Sequence, residues 1–224
     1  MKLEAKGVDR IFFRNGKGTN FFHAVHPTDL ILEEGKLTEI AGRSGSGKTT
    51  FTNMLAGLLK PTEGSVIIGG EDIYSMTDKR LSMFRSAHIG VVPQGQTGLS
   101  CLTVLENVCA PAMMYSGDPA TPRAIELLTK LDIADLADVY SNELSGGELR
   151  RMSIARAMIN SPEILIADEP TSDLDDDTTK LVMKLLRSYA DGGASVLIVT
   201  HEKDALEYAD VLCRMDKGVL KLID

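Results

Sequence analysis

The chain has 224 residues, of which 43% are hydrophobic and 25% charged, values that exclude a disordered or collagen-like protein. The formal net charge of −8, from 24 basic and 32 acidic side chains, argues against nucleic acid as the main partner. The longest apolar runs are far shorter than the ~20 residues of a membrane helix, and the start MKLEAKG has no apolar signal core, so we expect a protein of the reducing cytosol.

The first third of the chain begins with a predicted antiparallel sheet at residues 2–32. Four phenylalanines lie there beside the turn-forming pairs Asn15-Gly16 and Lys17-Gly18. Strand-like apolar runs then recur at residues 37–41, 65–69, 89–92, 164–167 and 195–199. Because most of these runs are separated by segments with helical apolar spacing, the pattern predicts an α/β fold with a parallel sheet flanked by helices.

The segment between Gln94 and about Asn160 interrupts this alternation, because it contains no convincing strand. Thr103 and Glu106 have the spacing of a helix capping box, and Pro122 suits the first position of another helix. We therefore expect about residues 95–160 to form a helical insertion.

A β-hairpin is predicted near the end of the chain, where the apolar runs 211–215 and 219–222 flank Asp216-Lys-Gly218. We expect these two strands to be peripheral to a three-layer core. The cysteines have neither metal-ligand spacing nor an even count, which indicates small buried hydrophobic residues at Cys101, Cys109 and Cys213.

Residues 42–49, GRSGSGKT, match the pattern GxxxxGK[ST] without a mismatch, between a predicted strand and a predicted helix. The glycines allow positive φ angles that bring N–H groups close to an anion, and the helix dipole favours negative charge at the same place. Lys48 is placed to contact the β- and γ-phosphates of a nucleotide, and the Thr49 hydroxyl to bind Mg²⁺. The alternative, a glycine turn that merely caps a helix, does not require the lysine and the hydroxyl.

The apolar run 164–167 ends in two adjacent acids, Asp168 and Glu169, at the edge where α/β sheets bind ligands. We expect Asp168 to support Mg²⁺ through water, and Glu169 to take a proton from the attacking water molecule. Alone, these acids would be interpreted as the cap of the next helix. Together with the phosphate loop they predict a hydrolytic site, although the loop itself is shared by kinases, GTPases and motors.

A family resemblance emerges from the order of the motifs. After the phosphate loop come Gln94 behind a strand, LSGGE at residues 144–148, the two-acid strand, SDLD at residues 172–175 and the pair Thr200-His201. The serine and glutamate of LSGGE alone form an ordinary capping box. In this order, however, the motifs resemble the nucleotide-binding subunit of ABC transporters over essentially the whole chain.

The resemblance implies one domain of residues 1–224: a P-loop NTPase (RecA-like) α/β core with an N-terminal antiparallel β-subdomain, residues 1–94 and 161–224, and an inserted α-helical subdomain, about residues 95–160. It implies ATP and Mg²⁺ as cofactors and ATP hydrolysis coupled to transport. The implied partners are an integral-membrane permease and a second copy of the chain, with no nucleic acid. Two copies would face head to tail, each ATP being contacted by the loop of one copy and the LSGGE signature of the other.

The same resemblance assigns roles to individual residues. The residues expected to bind the nucleotide are Phe12, Gly42, Ser44, Gly45, Ser46, Gly47, Lys48, Thr49, Thr50, Ser145, Gly146 and Gly147. Those expected to take part in catalysis are Lys48, Gln94, Glu169 and His201. Those expected at the metal are Thr49, Gln94 and Asp168.

Other assignments leave alternatives open. Phe12 is the expected adenine-stacking aromatic, with Phe13 as its neighbour, whereas the remaining histidines are expected to be surface or packing residues: His23, His26 and His88. Asp175 is expected at the dimer seam, and the acidic run 173–177 is interpreted as a helix N-terminus because Thr178 stands where a calcium loop requires glycine. Met113 and Met114 suit either a groove for the permease or core packing.

Within the family, the segments FHAV (22–25) and LTVLENV (102–108) resemble the ATPases of the lipoprotein-release and macrolide-efflux group. This resemblance implies export or mechanical transmission, and a peripheral location on the inner face of the cell membrane. An alternative is a regulatory ATPase of the cell-division type, which signals through a membrane partner without moving a solute. A small-molecule kinase would use the same phosphate loop but leaves LSGGE and Gln94 unexplained.

Overall fold

Two β-sheets of different type organise the protein. The computed structural model describes residues 1–13, 21–95, 98–200 and 207–223. The strands within these residues are β1 (Leu3–Phe13), β2 (Phe21–Leu32), β3 (Leu37–Ala41), β4 (Glu63–Ile68), β5 (Glu71–Asp72), β6 (Ile89–Val92), β7 (Ile164–Asp168), β8 (Ser195–Thr200), β9 (Val211–Asp216) and β10 (Val219–Ile223). The α-helices there are α1 (Lys48–Leu55), α2 (Asp78–His88), α3 (Val104–Ser116), α4 (Thr121–Lys130), α5 (Gly146–Met158) and α6 (Asp176–Asp191).

The larger sheet has the strand order β10-β9-β3-β8-β7-β6, and its strands from β9 to β6 all run parallel. Every residue of β7 and β8 is buried, as expected for strands covered on both faces. Leu37 and Ile198 belong to the core on the α6 side, and Ile40 and Val199 to the core on the α1 side. The predicted α/β class is confirmed, and the carboxyl ends of β3, β6, β7 and β8 meet along one edge.

The smaller sheet is antiparallel, with the order β2-β1-β4-β5, which confirms the predicted N-terminal sheet. One expectation was wrong: the run at residues 65–69, predicted for the parallel core, forms β4 and pairs with β1. Val66 and Ile68 are buried while Ser65 and Ile67 are partly exposed. This alternation is typical of a strand covered on one face only, a distinction that a short apolar run does not reveal.

The segment after Gln94 is helical, as predicted. Between residues 95 and 160, the described residues contain no β-structure beyond an isolated bridge from Thr103 to Tyr140. The predicted capping box is present at the N-terminus of α3. Glu106 N donates to Thr103 Oγ1 at 3.2 Å, and Thr103 N donates to Glu106 Oε2 at 2.8 Å. Helix α4 begins one residue before Pro122, whose missing N–H is tolerated in a first helical turn.

The C-terminal strands β9 and β10 form the predicted hairpin, and β9 joins the large sheet beside β3. The prediction for the cysteines was wrong at one position: Cys109 and Cys213 are buried, but Cys101 is exposed. Cys101 lies in a turn before α3, where no apolar layer covers it. In the part of the chain that the structure describes, no helix is both long enough and apolar enough to cross a membrane.

Glu39 is an acidic residue in the middle of the buried strand β3. Its side chain is fully buried, and among the described residues neither carboxylate oxygen has a hydrogen-bond partner. Its neighbours on the adjacent strands are the apolar residues Ile198 and Leu212. Burial disfavours the charged form and raises the pKa of Glu39 from 4.5 to about 7. Glu39 therefore makes the stability of the fold dependent on pH.

Glu39→Gln is expected to flatten part of the pH dependence of stability. The folded wild type keeps a proton that the unfolded chain releases, so the free energy of unfolding falls as the pH rises from 4.5 through about 7. The loss is on the order of 1–3 kcal/mol, and the glutamine variant lacks it. Urea unfolding at pH 5, 6, 7 and 8 measures the difference, with the exposed Glu33→Gln as a control that keeps the wild-type slope. Identical slopes for all three chains would contradict the assignment.

Candidate functional site

The loop between β3 and α1 borders a cavity of about 440 Å³. Residues 44–50 line this cavity, and the helix predicted after the loop, α1, begins at Lys48 with Gly47 as its N-cap. Gly45 and Gly47 have φ angles of 75° and 103°, conformations that glycine adopts without strain. The free N–H groups of a helix N-terminus therefore open onto the cavity, which is a suitable arrangement for binding an anion.

Close packing fixes the position of this loop. A Cβ atom at Gly47 would overlap with the carbonyl oxygen of Ala24 in β2. The turn between β9 and β10 supports the other side, because Gly218 N donates to Ser46 O at 2.8 Å and Gly218 O accepts from His26 N at 2.8 Å. The loop is thus held between β2 and the C-terminal hairpin before any ligand binds.

Lys48 lies within the loop. Its side chain is only 6% exposed, and Nζ donates to Gly42 O at 2.6 Å and to Arg43 O at 3.1 Å. Burial lowers the pKa of Lys48, while the negative charges of Glu169 and Asp168 act in the opposite direction. The lysine is therefore positioned by backbone carbonyls next to the N–H groups that would bind a phosphate.

Three oxygen atoms of different chemical types converge beside Lys48. The Thr49 hydroxyl donates to Asp168 Oδ2 at 2.7 Å and lies 3.4 Å from Gln94 Oε1. Thr49 lies in the first turn of α1, Asp168 ends β7, and Gln94 follows β6, so the parallel sheet brings them to the same edge. Hydroxyl, amide and carboxylate oxygens are the ligands that Mg²⁺ prefers.

Asp168 gives an independent test of whether this place suits a cation. It is almost completely buried, and Oδ1 has no hydrogen-bond partner among the described residues. Burial raises the pKa of Asp168, and the hydrogen bond from Thr49 acts against this effect. A buried, unpaired carboxylate oxygen is costly, and a divalent cation would remove that cost. The three residues therefore fit Mg²⁺.

Glu169 follows Asp168 with an uncommon backbone conformation. Its φ angle is 53°, and its N–H donates to Val199 O at 2.7 Å. Its Oε2 accepts from Gln94 Nε2 at 3.2 Å, and the residue lines the same cavity as the phosphate loop. A non-glycine residue in the left-handed region is strained and typical of functional sites.

Two stacked phenylalanines also line the cavity. Phe12 and Phe22 stand opposite each other in the β1–β2 ladder, with ring centroids 5.7 Å apart, and both line the cavity. The Arg10 guanidinium lies 4.7 Å from the centre of the Phe12 ring. Phe13 is 82% exposed and does not line the cavity, so the structure favours Phe12 over its neighbour.

The signature residues lie elsewhere on the chain. Ser145 caps α5: Glu148 N donates to Ser145 Oγ at 3.4 Å, and Glu148 Oε2 accepts from both Ser145 N and Oγ at 2.7 Å. Gly146 and Gly147 form the first turn of α5. None of these residues lines the cavity described above. Within one copy, the structure therefore does not bring the signature and the phosphate loop together.

The remaining predictions have different outcomes. His201 lies outside the described residues. His23 was expected to be a surface or packing residue; its ring stacks on His26 with centroids 4.8 Å apart, but it also lines the cavity. His88 pairs with Glu163 at 3.0 Å, far from this cavity.

Two further alternatives are decided by exposure and contacts. Met113 and Met114 are 54% and 75% exposed, which excludes core packing. Asp175 begins α6 as its N-cap, accepting hydrogen bonds from Asp177 N and from Thr178 N and Oγ1 at 2.7–3.0 Å, so the acidic run starts a helix as predicted.

Five cavity-lining residues were not among the predicted site residues, namely Phe22, His23, Ala24, Lys217 and Gly218. Phe22 is brought there by its register with Phe12 in the hairpin, and Lys217 by the contact of the β9–β10 turn with the loop. The alternation of residues along β1 and β2 is a sequence signal from which the pairing of Phe22 with Phe12 could have been predicted. Nothing near Lys217 in the sequence indicates its position.

Comparison with known proteins identifies related sequences. A family model described as "ABC transporter" matches residues 25–172. The macrolide export ATP-binding/permease protein MacB of Shewanella sp. (strain W3-18-1) is 36% identical over 97% of this chain and 34% of that protein. The lipoprotein-releasing system ATP-binding protein LolD of Treponema denticola is 38% identical over 85% of each chain. The methionine import ATP-binding protein MetN 1 of Rhodococcus jostii is 34% identical over 96% of this chain and 64% of that protein.

The chain thus spans about a third of the macrolide export relative and somewhat under two thirds of the methionine import relative. Among solved structures, a dimeric post-hydrolysis state of the ATP-binding cassette MJ0796 bound to ADP and Pi is similar over 99% of both chains. Its TM-score is 0.90 and its sequence identity 32%. Fold and sequence therefore point to the same family.

Gly47→Ala is expected to weaken nucleotide binding far more than Gly45→Ala. Both positions have positive φ, which costs alanine roughly 1–2 kcal/mol, but only Gly47 faces a backbone carbonyl, whereas a Cβ at Gly45 meets nothing within 4 Å. Titration with a fluorescent ATP analogue should show a loss of affinity at least ~10-fold larger for Gly47→Ala, equivalent to about 1.4 kcal/mol. Equal losses for the two variants would show that the contact with β2 is unimportant.

Proposed function

The chain belongs to the ABC transporter family, as an ATP-binding cassette with ATPase function, and we propose that two copies close around two ATP molecules to drive a membrane permease. The observation that carries the proposal is the convergence of Thr49, Gln94 and Asp168 beside the phosphate loop. This convergence combines a place for Mg²⁺ with an anion-binding helix N-terminus in one cavity.

In the proposed site, residues 44–50 bind the phosphates of ATP through backbone N–H groups, and Lys48 exchanges its loop carbonyls for the β- and γ-phosphates. Thr49, Gln94 and Asp168 are the residues that would hold Mg²⁺, Asp168 through water. When bound, Mg²⁺ neutralises charge on the phosphates during transfer. Phe12 stacks on the adenine, and its own stacking on Phe22 keeps the ring in place.

Glu169 is the proposed general base. It lines the same cavity as the loop, and Gln94 donates to its carboxylate, so a water molecule that contacts both side chains would be oriented toward the γ-phosphate. His201 is proposed to contact the γ-phosphate from the same copy, as the family resemblance implies. The proton of the water moves to Glu169 as the water oxygen attacks phosphorus and the β–γ bridging bond breaks.

The signature is proposed to complete the site of the second copy. Ser145, Gly146 and Gly147 lie at a helix N-terminus that is outside the cavity of their own chain. A γ-phosphate of the partner would accept hydrogen bonds from this end of α5 and interact with its dipole. Asp175 is proposed to lie at the seam between the copies. The dimeric solved relative supports the arrangement.

We propose a single domain over residues 1–224, with a helical subdomain at about residues 95–160, bound to the cytoplasmic face of a membrane through a permease. The exposed Met113 and Met114 suit the permease contact, because methionine packs adaptably on partner surfaces. The names of the macrolide export and lipoprotein-release relatives support export or mechanical transmission, while a methionine import relative covers the same chain. A regulatory role of the cell-division type would use the same site, and copurification of the membrane partner distinguishes the two.

Glu169→Gln is expected to trap an ATP-bound homodimer. The variant keeps the hydrogen-bonding shape of the side chain but cannot accept the proton of the attacking water, so hydrolysis stops while binding persists. Size-exclusion chromatography with MgATP should show twice the monomer mass and a hydrolysis rate at least ~100-fold below wild type. Glu163→Gln, which changes a surface carboxylate paired with His88, is the matched control and should turn over normally. A monomeric Glu169→Gln chain at saturating ATP would count against the composite site.

Ser145→Arg is expected to abolish turnover with almost unchanged ATP affinity, because the lost contact is to the nucleotide of the other copy. Thr103→Arg is the matched control: it removes the same kind of helix cap, worth about 0.5–2 kcal/mol, at α3. Steady-state ATPase assays and ATP-analogue titrations of both variants separate the two effects. A collapse of affinity in Ser145→Arg would place the signature on its own nucleotide.

A further inference from the structure

Arg150 is a buried arginine in the second turn of α5, the helix that begins with the signature. Its side chain is 2% exposed, and it makes two hydrogen bonds outside the helical insertion. Nη1 donates to Pro93 O at 2.8 Å, and Nη2 donates to Ser172 Oγ at 2.8 Å. Pro93 precedes Gln94, and Ser172 follows Glu169 by three residues. The guanidinium thus contacts the chain segments on both sides of the proposed water site.

These contacts are part of a closed circuit. Ser172 Oγ donates to Glu169 O at 3.0 Å, and Gln94 Nε2 donates to Glu169 Oε2 at 3.2 Å. Arg150 donates to the Pro93 carbonyl, and the peptide chain leads from Pro93 to Gln94. The Gln94 amide then donates to the Glu169 carboxylate, and Ser172 links the Glu169 carbonyl back to Arg150. We call this set of five residues the Arg150 circuit. It connects α5 with both the amide and the carboxylate that face the cavity.

The segment held by the circuit is strained. Glu169 and Asp173 have φ angles of 53° and 66°, in the region that non-glycine residues avoid. Each such residue costs on the order of 1–3 kcal/mol and persists only where the surroundings determine it. Arg150 binds Ser172, which lies between the two strained residues, so its hydrogen bond acts at the point where relaxation of the backbone would begin.

The charge of Arg150 also fits this place. Burial lowers the pKa of Arg150, and the carboxylates of Asp173, Glu169 and Asp168 act against this effect. A planar guanidinium can satisfy two acceptors at a fixed separation, which a lysine ammonium on a flexible chain cannot do in the same geometry.

Building on the proposed function, we propose that Arg150 is a positioning residue that couples the signature helix to the water-activating pair Gln94 and Glu169. Arg150 does not line the cavity of the proposed nucleotide site. It fixes the backbone on both sides of the pair, so that the carboxylate and amide stand at hydrogen-bonding distance only while α5 is correctly placed. Because the signature and Arg150 are in the first two turns of one helix, a partner's nucleotide that engages Ser145 also loads this circuit.

Arg150→Gln in the full chain should lower kcat for ATP hydrolysis by about 10–100-fold while the affinity for an ATP analogue changes less than about threefold, because misplacement of the base affects the chemical step. Arg150→Lys should recover part of kcat. Arg151→Gln is the matched control: Arg151 is the next residue of α5 and donates to Leu131 O and Asp132 O, entirely within the helical insertion. Arg151→Gln should lose about as much thermal stability as Arg150→Gln but keep kcat within about threefold of wild type.

A double-mutant cycle adds a readout that a purely structural role would not move. Ser172→Ala removes only the hydroxyl of the circuit, so it remains informative if Arg150→Gln fails to fold, and should lower kcat about 3–10-fold with unchanged affinity. The double variant should be no slower than Arg150→Gln, because both changes open the same circuit. If the kcat losses of the two single variants multiplied in the double variant, or if Arg150→Gln were as active as wild type, the proposed coupling through Arg150 would be overturned while the proposed function would stand. An inactive wild type would overturn the proposed function and this inference with it.

Discussion

A hydrogen bond of 2.7 Å from the Thr49 hydroxyl to the Asp168 carboxylate joins the phosphate loop to the end of β7 across 119 sequence positions. It exists because β3 and β7, with β8 between them, are parallel and end at the same edge of the sheet. The bond places a hydroxyl at the start of α1 against a carboxylate in a buried environment. Every other group of the site, including Gln94 and Glu169, is positioned relative to this edge.

Part of the backbone strain of the molecule lies near that edge. Gly45 and Gly47 take positive φ angles in the loop, and Glu169 and Asp173 do so after β7, where the two side chains make it costly. The burial of β7 and β8 along their whole length stabilises the sheet and offsets the free-energy cost of these strained residues. A rigid sheet with a strained edge is what a site needs when a base must keep one orientation before the substrate arrives.

Features of this structure that depend on interactions between residues close in sequence could be predicted, whereas features that depend on contacts between distant segments could not. The loop, the capping boxes of α3 and α5 and the acidic end of β7 depend on neighbours within a few residues, and they were predicted correctly. The pairing of β4 with β1 and the exposure of Cys101 depend on which layer covers a segment, and these predictions were wrong. The sequence of β3, LTEIA, does not indicate that Glu39 is buried between apolar strands, because its alternation also fits a half-exposed strand.

The Arg150 contacts are invisible in the sequence for the same reason, since they join positions 57 and 22 residues apart. In LSGGELRR the arginine looks like one of two solvent-facing charges of a helix. Only the packing of α5 against β6 and β7 directs Arg150 to Pro93 and Ser172, while Arg151 contacts Leu131 and Asp132 within the helical insertion. Whether a charged helix residue is structural or functional therefore depends on a tertiary contact that periodicity alone does not specify.

The position of Arg150 gives α5 two sites of different function, Ser145 and Arg150, separated by about 7.5 Å along the helix, five residues at 1.5 Å each. Its N-terminus faces outward, and its second turn holds the pair that would activate water. Coupling free energies are reciprocal: if engagement of the signature by a partner's nucleotide strengthens the Arg150 circuit, an intact circuit must strengthen that engagement equally. A base that is correctly placed would then favour the closed dimer before hydrolysis. Each α5 positions the base of its own copy and contacts the nucleotide of its partner, so turnover in either copy would require both α5 helices to be correctly placed.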